Sequence, residues 1–146
     1  MNKEKILILY STLIRPGLAI SHFMQPDPII YDIDLLKPIS LYITTVLLFD
    51  SSKHYMTELD IVFNGESVLP TEGNPDNAMV NFMSSKPDDN SLVVGSSLFL
   101  QGINISKNGV YDVNFSLFED DDGKLGKQID SKQCSFVVAR SEKEVK

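Results

Sequence analysis

Tryptophan is absent from this 146-residue chain, cysteine occurs once and histidine twice. One thiol excludes an intrachain disulfide and a thiolate metal cluster. Two imidazoles leave little for a zinc site or a histidine-based catalytic centre. Positive charge is also short: 13 Lys and Arg against 20 Asp and Glu give a net charge of −7 and a pI near 4.7. A phosphate backbone repels such a chain, so a nucleic-acid partner is not expected. No apolar run approaches the ~20 residues of a membrane-spanning helix. The eight glycines fall in no G-x-G-x-x-G or Walker spacing, and Gly123-x-x-Gly126 lacks the strand-to-helix setting of a phosphate cradle. No cofactor is expected.

What is present is apolar content cut into short runs. Hydrophobic residues make up 42% and charged residues 23%, a globular balance on a length that suits a single domain, 1–146, with one core. Outside the N-terminal stretch no segment of ten or more residues holds a 3.6-residue period, so helices should be few or none. Leu41–Phe49 is rich in β-branched and aromatic residues, as a strand should be. Glu58–Phe63 alternates and runs into Asn64-Gly65, a dipeptide suited to a tight turn. Joined through Asp50–Thr57, these two runs are expected to pair antiparallel. Pro70–Asn77 and Lys86–Asn90 read as loops around a short strand at Met79–Met83. Tyr31, Ile33 and Leu35 alternate with Asp32 and Asp34, which suggests a strand over Ile29–Leu36.

The N-terminus has two readings. Lys3 and Lys5 precede an apolar stretch, the order found in a signal peptide. Arg15 and Pro16 interrupt it early, and Leu18-Ala19-Ile20 is a poor cleavage triplet. A buried first strand, Ile6–Ile14, and a cytoplasmic location are therefore expected, with secretion the alternative if residues 1–20 are a signal. Arg140–Lys146 alternates charge and reads as a frayed tail.

The C-terminal half is the most regular. Leu98, Leu100, Ile103 and Ile105 lead into Ser106-Lys107-Asn108-Gly109. Tyr111, Val113, Phe115 and Leu117 then alternate with polar residues, one face inward. Glu119–Gly123 (EDDDG) is a turn, and Cys134, Phe136 and Val138 share a face of the closing strand. The expected fold is all-β: an antiparallel sandwich of seven to nine strands.

Leu98–Val113 reads L-F-L-Q-G-I-N-I-S-K-N-G-V-Y-D-V. This stretch resembles the corner between strands E and F of immunoglobulin-like domains, where a tyrosine hydroxyl bonds back to upstream backbone. Gly109 and Tyr111 would supply the G-x-Y unit. Val113 stands where antibody-type domains place a cysteine, so the resemblance is to cysteine-free Ig-like sandwiches, small bacterial ones among them. It spans about Leu92–Arg140 and implies no particular activity.

Few residues suggest chemistry. Asp88, Asp89, Glu119, Asp120, Asp121 and Asp122 gather carboxylates on loops, the oxygen type Ca²⁺ prefers. An EF-hand is excluded because Phe118 would hold its first ligand position. Asp-Gly is also simply a good hairpin turn with solvated neighbours, and that reading is preferred. His54 lies between Asp50 and Asp60 near Ser51 and Ser52, yet no G-x-S-x-G elbow positions a nucleophile. His22 carries no partner signal. Cys134 reads as a small buried hydrophobe, with Lys132 nearby as the one argument for reactivity. The expected function is a non-enzymatic binding or accessory module, acting through sandwich loops or an exposed sheet edge on a protein partner or on itself. Alternatives are a Ca²⁺-assisted binder of carbohydrate or lipid headgroups, and a structural subunit of a bacterial or phage assembly. An enzyme ranks last.

Overall fold

Nine strands and no helix form among the described residues, 4–18, 23–70 and 79–141 of a computed structural model. In chain order they are β1 (Lys5–Leu13), β2 (Ile29–Tyr31), β3 (Ile39–Asp50), β4 (Tyr55–Phe63), β5 (Glu66–Ser67), β6 (Met79–Ser85), β7 (Ser91–Ile103), β8 (Gly109–Asp121) and β9 (Lys124–Ala139). They build a sandwich: a four-stranded sheet ordered β1-β3-β7-β6 and a five-stranded sheet ordered β2-β9-β8-β4-β5. All pairings are antiparallel except β2 with β9, which is parallel.

Period-two alternation decides which side chains fill the space between the layers. Tyr111, Val113, Phe115 and Leu117 are all buried, as are Phe136 and Val138 beside them on β9. From the other sheet come Ile6, Leu9, Leu13, Leu41, Ile43, Leu47, Leu98 and Leu100, and one continuous core cluster unites both sets. Leu100 and Ile103 are three apart yet both fully buried. The extra residue on β7 is absorbed by a register shift opposite Ile39–Leu41, where Gly102 has φ 73°. A bulge of this kind resets the alternation so that the inward stripe continues.

The corner between β7 and β8 is pinned by Tyr111. Its ring lies between Phe63 (centroids 4.5 Å apart) and Phe136 (5.4 Å), nearly parallel to both. Its hydroxyl donates to Lys107 O at 2.6 Å, closing the turn into which the apolar series leads. Gly109 begins β8 with φ 148°, and a Cβ there would meet Phe63 Cε1 at 2.6 Å. Both the backbone and the neighbouring ring therefore require glycine.

Two expectations about pairing are corrected. Leu41–Phe49 and Glu58–Phe63 do not form a hairpin: β3 lies between β1 and β7, while β4 lies between β8 and β5. Both edges of β3 are already taken, so the chain crosses from one sheet to the other at 51–54. Asp50 Oδ1 accepts from Ser52 N in that crossing, and Tyr55 stacks on Phe49 at 4.4 Å. The run Ile29–Leu36 is strand only at Ile29–Tyr31. Asp32 adopts φ 55°, a turn at Asp34–Lys37 follows, and Leu36 is 94% exposed.

Other turns match their dipeptides. Asn64-Gly65 (φ 51°, 83°) and Asp122-Gly123 (φ 55°, 82°) have positive φ at both central positions, as tight hairpins demand. Residues 71–77 of the Pro70–Asn77 loop, residues 1–3 and 19–20 of the N-terminal reading, and 142–146 of the tail lie outside the described residues. Ser141 is tied down, donating from its N and Oγ to Asp32. No described helix is long and apolar enough to cross a membrane.

Central β3 is buried on both faces at Thr44, Thr45 and Val46. Among the described residues the Thr44 and Thr45 hydroxyls make no hydrogen bond, and a buried hydroxyl without a partner is unfavourable. Thr45→Val should therefore raise stability by about 1 kcal/mol in denaturant titration. Gly109→Ala should cost about 1–3 kcal/mol through strain and collision with Phe63. Tyr111→Phe should cost about 1 kcal/mol for the lost hydrogen bond alone. Equal stability of wild type and Gly109→Ala would refute this account of the corner.

Candidate functional site

The loops between β3 and β4 (51–54), β6 and β7 (86–90), and β8 and β9 (122–123) lie at one end of the sandwich. Ser51 N donates to Asn90 O at 3.0 Å, and Asp120 N donates to His54 O at 3.1 Å. The 51–54 loop thus joins the two acidic ones. Asp88 and Asp89 share an end with Glu119–Asp122, and the Asp88 and Asp120 carboxylates serve local turns. Asp88 Oδ1 accepts from Asn90 N at 2.9 Å, and Asp120 Oδ1 accepts from Gly123 N at 2.7 Å. Glu119 and Asp121 sit within β8, opposite Tyr55 and Lys124. Among the described residues no group of three or more His, Cys, Asp or Glu could hold a metal ion.

The same end contains a buried acid that sequence reasoning missed. The Glu4 side chain is almost wholly enclosed; Lys53 Nζ lies 3.8 Å from its carboxylate. The Tyr55 hydroxyl donates to Glu4 Oε2 and accepts from Asp50 N at 2.9 Å. Burial, then the Glu4 carboxylate, pushes the Tyr55 hydroxyl far above its ordinary pKa. Chemically this is a stitch between the start of β1 and the β3–β4 crossing. Its members are too far apart in sequence for any short motif to reveal them.

The remaining chemical candidates do not assemble. His54 is exposed, and His22 is outside the described residues. Ser52 Oγ bonds Asp50 Oδ1 at 2.7 Å rather than an imidazole. Cys134 is half-buried rather than fully buried, because it lies near the β1–β9 seam. A cavity of about 60 Å³ there is lined by Cys134, Tyr10, Ser11, Pro26, Asp27 and Ser135, among others. Burial, helped by the Asp112 carboxylate, pushes the thiol up to about 11. Lys132 is exposed at the register position of Phe115. A shallower groove of about 370 Å³ on the outer face of β8 and β9 is walled by Asn114, Ser116, Gln128, Ser131, Lys132 and Gln133.

The sharpest asymmetry is in charge. The four-stranded sheet carries only Lys5 and Asp50, with no Asp, Glu, Lys or Arg on β6 or β7. The five-stranded sheet carries eleven such residues: four on β8, four on β9, two on β4 and one on β5. On the outer face of the uncharged sheet, residues 23–27 strap across β1. Tyr10 donates to Met24 O at 2.6 Å, and Thr12 donates to Gln25 O at 2.7 Å. Phe23 meets Phe82 edge-on at 5.0 Å and stays 49% exposed. Phe82 and Met83 fold over Gly95, where a side chain would collide with both.

The strand edges are treated unequally. β1 is covered: Asp27 N donates to Ser11 O, and Asp27 Oδ2 and Asp130 Oδ2 accept from Leu13 N and Ile6 N. β2 and β5 are three and two residues long. The long edge of β9 carries Lys124, Lys127 and Lys132, the charged protection usual at edges. β6 has seven residues, no charge, one bulge at Phe82 and Val80 at 61% exposure. Its only strand partner among the described residues is β7.

The chain matches no protein-family model and no curated protein sequence.

Folded Cys134 should react with a thiol reagent near pH 8 about a hundredfold more slowly than a thiol of ordinary pKa, a ratio lost in denaturant. The raised Cys134, Tyr55 and Tyr111 groups favour the protonated fold. Their contribution is full below pH 9 and is lost as pH climbs from there through 11 and above. Melting temperature should accordingly be level with respect to these groups up to about pH 9 and decline beyond it. A level profile across that window would contradict the assignment.

Proposed function

We propose that this chain is an immunoglobulin-like sandwich working as a non-enzymatic binding module, with its charge-poor sheet and the β6 edge as the contact surface. Strand order supports the family reading: β1-β3-β7-β6 facing β9-β8-β4 follows the A-B-E-D and G-F-C sheets of that fold. The Tyr111 hydroxyl returning to Lys107 O at the β7–β8 corner follows its tyrosine corner.

One observation carries the functional reading: two charged side chains on one sheet against eleven on the other. Core packing requires only the inner face of a sheet to be apolar. Beyond the part that residues 23–27 cover, an outer face whose strands carry only Lys5 and Asp50 as charges goes past that requirement. Depletion of charge is the compositional mark of surfaces covered by another molecule, whereas free surfaces usually mix both signs. Among the described strands β6 is the end of its sheet, pairing only with β7, a position that an incoming strand can extend.

Immobilised chain exposed to an extract of its native cells should retain a bound chain. Val80→Lys should lose it, and Val110→Lys, at a comparably exposed valine on the other sheet, should keep it. Equal retention by all three proteins overturns the reading.

A further inference from the structure

We propose that residues 23–25 are a hinged lid on the outer face of β1 and β3, whose lifting uncovers the part of the contact face that the strap now occupies. This rests on the reading of the charge-poor sheet as the contact face and adds its regulation. Anchoring is graded along the strap. Asp27 is fixed at three points: its N donates to Ser11 O at 2.9 Å, and its Oδ2 accepts from Leu13 N at 2.8 Å and from Arg15 Nη1 at 3.1 Å. Pro26 and Pro28 stiffen the chain on either side, so this point serves as the hinge. Ahead of it the strap meets the sheet through two hydroxyls that donate to its carbonyls, Tyr10 to Met24 O and Thr12 to Gln25 O. The edge-on contact of Phe23 with Phe82 completes the closure.

The closed face holds a polar group that it does not satisfy. Tyr10, Thr44 and Ser97 stand side by side in one outward row across β1, β3 and β7. Thr44 is wholly buried there, and among the described residues its hydroxyl has no hydrogen-bond partner. Its neighbour Tyr10 carries the bond to the lid. Burying such a hydroxyl disfavours the closed arrangement relative to one in which water reaches it. Closure gains in return the burial of Met24, while the Phe23 ring remains half exposed. Contributions so nearly matched let the lid open locally at far less cost than unfolding the sandwich. Opening frees the Tyr10, Thr12 and Thr44 hydroxyls as donors. An extended, uncharged segment of a partner can then offer them the main-chain carbonyls that the strap supplies in the closed state.

Peroxide oxidation of the Met24 sulfur, followed site by site by peptide mass spectrometry, reads lid opening with no partner present. In the wild type it should run at least about tenfold faster than the global unfolding equilibrium allows. Phe23→Ala and Tyr10→Phe should each speed it about fivefold, and Thr44→Val should slow it about fivefold. A cooperative melt in all three variants shows that the fold is kept. Oxidation that proceeds only through global unfolding overturns the lid. So does a rate that Thr44→Val leaves unchanged, or that neither loosening variant raises. If Met24 stays locked while Val80→Lys still abolishes capture of a foreign chain, the lid fails and the contact face stands. If Met24 opens as expected but capture ignores Val80, the contact reading fails and the lid loses its role there.

Discussion

Tyr111 is held on three sides: Phe63 and Phe136 sandwich its ring, and its hydroxyl closes on Lys107 O. The residues it joins come from β4, β9 and the connection between the two sheets. A sandwich without a disulfide needs a fixed point where the chain passes from one layer to the other. Here a phenol supplies it, with an apolar ring for the core and one polar atom that finds a partner. Gly109 belongs to the same device, since its missing side chain leaves room for the Phe63 ring. The inward stripe of Val113, Phe115 and Leu117 then follows at two-residue intervals, and the core grows from that register.

A second constraint acts on what the core leaves outside. Nearly all strand charge sits on one sheet, and the long β9 edge is defended by lysines while β1 is roofed by its own connector. The acidic end has the appearance of a cation site in sequence, but the Asp88 and Asp120 carboxylates accept from amides of their own turns, and no three ligating groups converge among the described residues. Glu4 differs from them in being enclosed, with Lys53 beside it and the Tyr55 hydroxyl donating to it. The outcome is a molecule with one charged face, one acidic end and one edge strand, β6, without charge. The binding role proposed for that edge follows from this distribution.

Much of the architecture was legible because period-two burial is written directly in residue order. The strands over Leu41–Phe49, Glu58–Phe63 and Tyr111–Leu117 could be read, and Asn-Gly and Asp-Gly located their turns. Neighbourhood was less legible. β3 and β4 look like a hairpin, since adjacency in sequence usually means adjacency in a sheet, yet β1 and β7 already fill both sides of β3. Ile29–Leu36 alternates well enough for a strand, but a positive φ at Asp32 ends it after three residues. The Glu4–Tyr55 stitch joins residues 51 positions apart, beyond any local pattern.

Residue order alone determined the all-β class, the inward stripe, the tight turns and the G-x-Y corner, because each depends on interactions within a few residues along the chain. Tertiary structure decided which strands became neighbours, which became edges, and that the uncharged ones would share a sheet. Those outcomes depend on competition among strands for the same hydrogen-bonding partners, and the winners are set by how two whole layers pack. Charge is scattered along the sequence; only the assembly of β1, β3, β7 and β6 into one sheet gathers its absence into a surface.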